Sequence, residues 1–452
     1  MARIDPSIFK AYDVRGIYPH QICADTAYRI GRATCQFLHA KTLAVGRDMR
    51  LSSPALADAL IAGVTDAGAD AVDLGLIGTD MCYVAVARYD LDGGVMVTAS
   101  HNPKEWNGMK FVRRQAVPIS SDSGLADIQA LADADAPPSA LRGSVRRVDM
   151  YPDYTQHVLS FIDPAAVREL KIVADAGNGV GWHIASRIFS HLPCRVVPLN
   201  AEPNGDFPKH EPNPMLEENR QEAVERVRAE RADMGVMWDG DADRCFFLDD
   251  TGRFVEGYFL TALLAEAVLQ KHPGSTILSD PRNLWAVRDA VLANGGNFVE
   301  TKSGHSFMKE AMRRTNAAFG GEMSGHYYFR DNHYADSGMI PVLMVLELMS
   351  RKGRTLRELV QPLRDRYFIS GEINRDVGSR EIGERIIRLL EERYSDGEVS
   401  HIDGLSVNYD DWRFNVRLSN TEPLLRLNVE GYSQALVDRR RDELLSLIEG
   451  GC

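Results

Sequence analysis

Three aspartates alternate with small residues in Trp238-Asp239-Gly240-Asp241-Ala242-Asp243-Arg244. Where the backbone turns about one point, carboxylates at this spacing converge. They then repel one another unless a cation sits between them, and hard oxygen ligands favour Mg2+. A calcium loop of the EF-hand type is excluded by its own template, because its sixth position needs glycine and here holds Arg244. The plainer alternative is a solvated acidic turn, against which stand the core-like neighbours Trp238 and Cys245-Phe246-Phe247.

Mg2+ held by three aspartates keeps open positions, and a phosphate oxygen is its usual complement. Ser100, in Thr98-Ala99-Ser100-His101-Asn102-Pro103, follows the apolar run 94–97 and offers a hydroxyl that can carry phosphate. A phosphoserine would bring about −1.5 to −2 of charge and complete the coordination shell. Taken alone, the same serine reads as a turn hydroxyl bonded to nearby backbone. Two further strings carry polar chemistry. Glu322-Met323-Ser324-Gly325-His326 suits adjacent sugar hydroxyls, or is a surface turn. Arg417-Leu418-Ser419-Asn420-Thr421-Glu422-Pro423, with Arg426 beyond it, offers guanidinium, hydroxyl and amide donors suited to phosphate, or is a plain hairpin loop.

To present these groups the chain needs a rigid scaffold, and its patterning predicts one. Strands over 42–45 and 71–74 flank an amphipathic helix over 53–67, and the alternation continues to 98, as in βαβ units with a mainly parallel sheet. Ser100 then leaves the C-terminal edge of that sheet, where open α/β folds bind ligands. Apolar periodicity lapses over 132–148, which places a boundary near 150. A second unit has strands over 171–175, 195–199 and 234–238, with Ala176-Gly177-Asn178-Gly179-Val180-Gly181 after the first. That glycine-rich string lacks the GxGxxG spacing and a following ribose anchor, so it reads as a tight strand-to-helix turn. A third unit has strands over 276–279 and 297–301 and helices over 258–269, 338–349 and 356–363. Beyond about 367 one helix (381–393) and strand-like runs over 404–409, 413–417 and 424–429 predict a small α+β domain with an antiparallel sheet. The expectation is therefore an α/β protein: three successive α/β units with mainly parallel mixed sheets plus a C-terminal α+β domain, arranged around a central cleft. Its segments are 1–150, 151–252, 253–366 and 367–452.

The 452 residues exceed one ordinary core, and 44% hydrophobic with 26% charged residues is an ordinary globular balance. A net charge of −12 speaks against a nucleic-acid partner, though not against a small anion in a local basic pocket. Six scattered cysteines without a CxxC pair suggest neither zinc nor a disulfide framework and fit a reducing cytoplasm. No stretch has the length and apolarity of a membrane span or a leader's apolar core.

The four strings, Thr98 to Pro103, Asp239 to Arg244, Gly321 to His326 and Arg417 to Pro423, occur together and in order, and in this combination the chain resembles the α-D-phosphohexomutase superfamily, specifically the bacterial phosphomannomutase/phosphoglucomutase group. Ala11 to Gly16, Asn107 to Lys110 and Lys302 to His305 resemble family segments too. The resemblance implies four domains around a cleft and an isomerase that interconverts D-mannose 6-phosphate and D-mannose 1-phosphate, with use of glucose phosphates. It makes Ser100 the phosphoserine and Asp239, Asp241 and Asp243 its Mg2+ partners. It places His101, Lys110 and Arg244 around the transferring phosphate, with His326 moving a proton. Glu322 and Ser324 would bind sugar hydroxyls. Arg417, Ser419, Asn420 and Thr421 would hold the other phosphate, assisted by Tyr12, Arg15, Arg282 and His305. Phosphate would pass from Ser100 to a hexose monophosphate, giving a hexose 1,6-bisphosphate that turns over and returns its other phosphoryl to Ser100. A monomer or weak homodimer, supplying GDP-mannose synthesis, is implied in the same way. Two features depart from the family pattern: Ala242 stands where many members have glycine, and Arg426 follows Pro423 closely. The rival readings are a phosphoglucomutase as main activity, a phosphoglucosamine mutase, disfavoured by Met323, a Mg2+-independent serine hydrolase built on Ser100 and His101, and a non-catalytic sugar-phosphate binding protein.

Overall fold

Short apolar runs closed by turn residues become strands, and amphipathic runs become the helices that cover them. The computed structural model describes residues 3–134, 137–282, 284–419 and 424–451. Contacts group the chain into two units, Met1–Val255 with Ser324–Leu356, and Glu256–Met323 with Arg357–Cys452.

In the first unit one sheet runs Val14–Ile17, Trp106–Arg113, Gly93–Val97, Thr42–Arg47, Asp70–Leu76, Val145–Arg147. The last four are parallel neighbours, while Trp106–Arg113 is antiparallel to both strands beside it. Gly93–Val97 is buried at every position, as expected for a strand covered on both faces. Two departures from the sequence reading matter here. Trp106–Arg113 is a full strand, and Val145–Arg147 lies inside the stretch where periodicity lapses. The helices Ala24–Leu38 and Ser53–Asp66 cross in backbone contact: a Cβ on Gly63 would lie 2.1 Å from the Tyr28 carbonyl oxygen.

The second sheet of this unit runs Phe254–Val255, Cys245–Leu248, Met234–Trp238, Lys171–Asp175, Arg195–Leu199. Its last three strands are parallel, and Cys245–Leu248 returns antiparallel against Met234–Trp238. The aspartate string is the connection between those two, at the C-terminal edge of the parallel strands, where α/β sheets place ligands. Trp238 anchors it: the indole is 1% exposed and donates to the Gly338 carbonyl at 2.8 Å. A short hairpin, Tyr327–Phe329 with Ala335–Asp336, belongs to the same unit.

The second unit contains parallel strands Asn297–Glu300, Thr276–Ser279 and Phe319–Gly321, with helices Gly257–Lys271, Trp285–Ala293 and His305–Thr315. Its antiparallel sheet runs Phe368–Ile369, Leu424–Gly431, Trp412–Leu418, Leu405–Asn408, Glu398–Ser400. The tail carries two helices rather than the one expected, Arg380–Arg393 and Gln434–Gly450. Three α/β sheets with mixed strand directions and a C-terminal α+β layer are thus present. Among the described residues no helix is long and apolar enough to cross a membrane.

Gly63→Ala forces the two crossing helices apart, and overpacking of this kind costs about 1–3 kcal/mol. Thermal unfolding should show a lowered Tm for this variant.

Candidate active site

The aspartate string turns through Ala242, whose φ of 57° is left-handed. This gathers ligand oxygens of Asp239, Asp241 and Asp243 within 4.8 Å of one another, all three side chains buried. Ser100, at the end of the strand Gly93–Val97, is also left-handed at φ 50°. Its Oγ donates to Asp239 Oδ2 at 2.8 Å. The two loops touch through backbone, since a Cβ on Gly240 would sit 2.5 Å from the Ser100 carbonyl oxygen.

Lys110 points from the strand Trp106–Arg113 into this group, with Nζ 2.7 Å from Asp241 Oδ2 and also bonded to Asp243. Arg244 Nε donates to Asp239 Oδ2 at 2.9 Å, and its Nη2 donates to His101 Nδ1. Thr79, which opens the helix Thr79–Arg88, bonds Asp241 through both hydroxyl and amide.

Burial opposes ionisation of every carboxylate here and pushes Asp239 up to about 7 against the pull of Arg244. Burial and the Asp243 charge also oppose ionisation of Asp241, yet Lys110 outweighs both and holds it below the usual range. Asp243 follows the same balance, burial against Lys110. Burial, helped by Arg244 and Arg15, holds His101 well below the usual imidazole range. The ring is therefore neutral at pH 7, and Nδ1 accepts from Arg244 with Ser100 Oγ 3.0 Å away. Asp241 Oδ1 and Asp243 Oδ1 are buried with no hydrogen-bond partner among the described residues. Orphaned hard oxygens beside converging carboxylates fit a small divalent cation. A second trio, Asp243, His326 and Asp336, also has ligand atoms within 4.8 Å.

The Ser100 loop is held by a residue the sequence reading missed. Arg50 is fully buried and donates to the carbonyls of Ser100, Asn102, Pro103 and Trp106 at 2.9, 2.6, 2.7 and 3.0 Å. Asp48 balances it at 3.3 Å. Arg15 bonds the Asn102 side chain and pairs with Asp13 at 2.8 Å, so it belongs with the Ser100 loop. Tyr12, half-buried, precedes it just before the strand Val14–Ile17. The glycine-rich turn supports the aspartate loop with backbone alone, Val180 N donating to the Gly240 carbonyl at 3.0 Å. Ser324 and His326 fall in the first unit and bond each other, Oγ to Nδ1, at 3.0 Å; Asp336 lies 3.9 Å from His326 Nε2.

In the second unit, buried Glu322 accepts from Gly304 N at 2.8 Å, which places it beside His305, the first residue of the helix His305–Thr315. Arg282 is gripped by both oxygens of Asp280, at 2.8 and 2.9 Å, and lies 3.7 Å from Glu322. Arg417 and Arg426 face each other across the antiparallel pair, and Arg426 donates to Ser419 at 3.4 Å. One carboxylate, Glu372, stands 3.7 Å from Arg282, 3.7 Å from Arg417 and 3.6 Å from Arg426. Asn420 and Thr421 lie outside the described residues. Thr79, Asp280, Asp336 and Glu372 were missed along with Arg50. One signal was available for part of this: Asp13/Arg15, Asp48/Arg50 and Asp280/Arg282 share an Asp-x-Arg spacing, and each is an ion pair where a strand begins or has just ended.

Four family models described as phosphoglucomutase/phosphomannomutase match the chain: α/β/α domain I over residues 6–137, domain II over 152–252, domain III over 256–367 and the C-terminal domain over 372–447. A protein from Escherichia coli named phosphomannomutase is 45% identical over 452 residues, covering 98% of this chain and 99% of its own. One from Xanthomonas campestris pv. campestris (strain B100), named phosphohexose mutases, is 46% identical over 449 residues with the same coverage. A crystal structure of a phosphoglucomutase/phosphomannomutase family protein from Burkholderia thailandensis superposes with a TM-score of 0.89 at 33% identity, covering 99% of this chain and 98% of that one.

Two substitutions probe the loops. Arg50→Lys keeps the charge but loses the planar fork that spans four carbonyls, so kcat should fall by about 10- to 100-fold while the circular dichroism spectrum stays native. Ala242→Gly removes a Cβ from a left-handed position that costs L-residues about 1–2 kcal/mol, partly offset by unfolded-state entropy. Its Tm should hold or rise, with turnover changed less than about threefold.

Proposed function

The chain belongs to the phosphoglucomutase/phosphomannomutase family, and on that footing we propose that it interconverts D-mannose 6-phosphate and D-mannose 1-phosphate through phospho-Ser100 and a hexose 1,6-bisphosphate, with glucose phosphates as second substrates. The observation that carries this reading is the 2.8 Å bond from Ser100 Oγ to Asp239, one of three converging buried carboxylates. A hydroxyl so placed, with Arg244 and Lys110 beside the same carboxylates, suits a phosphoryl carrier. His101 Nδ1 also lies 3.0 Å from Ser100 Oγ, but Arg244 donates to that nitrogen, which leaves the imidazole poorly placed to take the serine proton as a hydrolase would need.

In this reading Asp239, Asp241, Asp243 and the Ser100 phosphate hold Mg2+, which when bound draws charge from the transferring phosphoryl group. Arg244, Lys110 and neutral His101 cradle that group, and Tyr12 and Arg15 act beside the Ser100 loop. The free hydroxyl of a hexose monophosphate attacks phosphorus, the P–Oγ bond to Ser100 breaks, and the hydroxyl proton passes to His326. In the second half Ser100 Oγ attacks the other phosphoryl of the bisphosphate, and the sugar oxygen so released takes the proton back. Glu322 and Ser324 accept and donate at sugar hydroxyls. Arg417, Ser419, Asn420 and Thr421, with Arg282 and His305, take the phosphate that is not being transferred, and the bond from Arg426 to Ser419 adds that arginine to them. We assign these parts to segments 1–150, 151–252, 253–366 and 367–452. The enzyme is assigned to the cytoplasm, where its unpaired cysteines are stable, as a monomer or weak homodimer.

Ser100→Ala should lose at least about a thousandfold in mutase activity, with added hexose 1,6-bisphosphate giving no rescue, and intact-mass analysis should find phosphate on Ser100 only in the wild type. Full activity of the alanine variant with bisphosphate would sink the mechanism. Chelation should abolish turnover and Mg2+ restore it, whereas a serine hydrolase would keep working. Comparing kcat/KM for mannose 1-phosphate and glucose 1-phosphate decides the main substrate.

A further inference from the structure

We propose that Glu430 and Arg413 are positioning residues that set Arg282, fixing the turn that carries it to the paired strands Trp412–Leu418 and Leu424–Gly431. The two lie directly opposite each other on those strands and are 1% and 0% exposed. Ionisable groups facing each other inside a sheet are costly unless their bonds are well used. Glu430 spends its bonds on one turn, and Arg413 adds one bond to the same turn while its Nη2 has no hydrogen-bond partner among the described residues. Glu430 Oε2 accepts from Leu284 N at 2.9 Å and Oε1 from Trp285 N at 3.1 Å. These amides open the helix Trp285–Ala293, whose own N-cap residue, Leu284, supplies no side-chain cap. A carboxylate from another strand therefore does the capping, at the end of a helix that favours negative charge. Tyr258 extends the cap, its hydroxyl donating to Glu430 and accepting from Ala286 N at 2.6 Å.

Arg413 completes the grip. Its Nη1 lies 3.5 Å from Glu430 Oε2 and donates to the Arg282 carbonyl at 3.5 Å, while Nε is anchored on Asn408 at 2.8 Å. Arg282 is thus held at its carbonyl by Arg413, two and three residues on by Glu430, and at its guanidinium by Asp280. The strands that hold the turn also carry Arg417 and Arg426. Glu430 and Arg413 therefore keep the three guanidiniums around Glu372 in register without touching the ligand. This inference rests on the reading that Arg282 binds the substrate phosphate that is not transferred.

The test is a double-mutant cycle on the full chain, reading KM and kcat for hexose 1-phosphate. Glu430→Gln keeps one acceptor but turns a donor toward an amide, and Tyr258→Phe, a milder change, serves if that variant fails to fold. Arg282→Met alone should raise KM about tenfold with kcat within about threefold, because a contact made equally in ground and transition states appears in KM. Glu430→Gln should raise KM by a similar factor, Tyr258→Phe by less. Either combined with Arg282→Met should add nothing further, since residues acting through one group are non-additive. Multiplying effects, or unchanged KM in the Glu430 and Tyr258 variants while Arg282→Met raises it, would overturn the inference alone. Unchanged KM in Arg282→Met would overturn the reading of Arg282 and the inference with it.

Discussion

Three carboxylates buried within a few ångströms of one another are the constraint to which the first unit answers. Asp239, Asp241 and Asp243 cannot all be ionised out of water without opposite charge nearby. Lys110 and Arg244 bond them directly, Arg15 adds a further cation whose field reaches Asp241 and Asp243, and His101 is held neutral. Burial lifts Asp239, the carboxylate that does not bond Lys110, against the pull of Arg244. Converging buried carboxylates with two orphaned acceptor oxygens are able to hold a divalent cation.

The second unit solves the reverse problem. Arg282, Arg417 and Arg426 would repel one another, and Glu372 spaces them at 3.6 to 3.7 Å without making a close hydrogen bond to any. Contacts that long neutralise charge while leaving N–H donors unspent, and the Nε atoms of Arg417 and Arg426 have no hydrogen-bond partner among the described residues. In both units buried charges of opposite sign hold one another in place, the arginines of the second against Asp280, Glu322, Glu372 and Asp403.

Much of this was legible in the chain. The aspartate spacing predicts converging carboxylates because alternate positions of a tight turn share a side, and the apolar run before Ser100 predicts the strand that carries its loop. Other parts left weaker traces. Trp106–Arg113 reads poorly as a strand because Asn107, Gly108 and Lys110 interrupt its apolar run, and Lys110 is there for the carboxylates rather than for the core. Val145–Arg147 is exposed throughout, so no alternation marks it. The helix Gln434–Gly450 buries only Val437, Leu444 and Ile448, a stripe thin enough to be lost among its charges. Arg413 and Glu430 were invisible, and Arg50 left only its Asp-x-Arg spacing, for a common reason. A charged residue in a sequence is read as solvent-facing, and nothing local says that its partners are main-chain carbonyls and amides from distant segments.

Those partners show how the fold divides its labour. The residues proposed to meet phosphate or metal are seldom left to hold themselves: Ser100 is fixed by Arg50 through backbone, Asp241 by Thr79, and Arg282 by Asp280 at its tip and Arg413 at its root. Backbone acceptors are the right target for such supports, because a carbonyl moves only if the chain moves. A buried arginine reaching four of them fixes a loop more firmly than any side-chain pair could. Ser100 and Ala242 are both left-handed, and at Ser100 the strain is held in place by the bonds that Arg50 makes to the carbonyls of its loop.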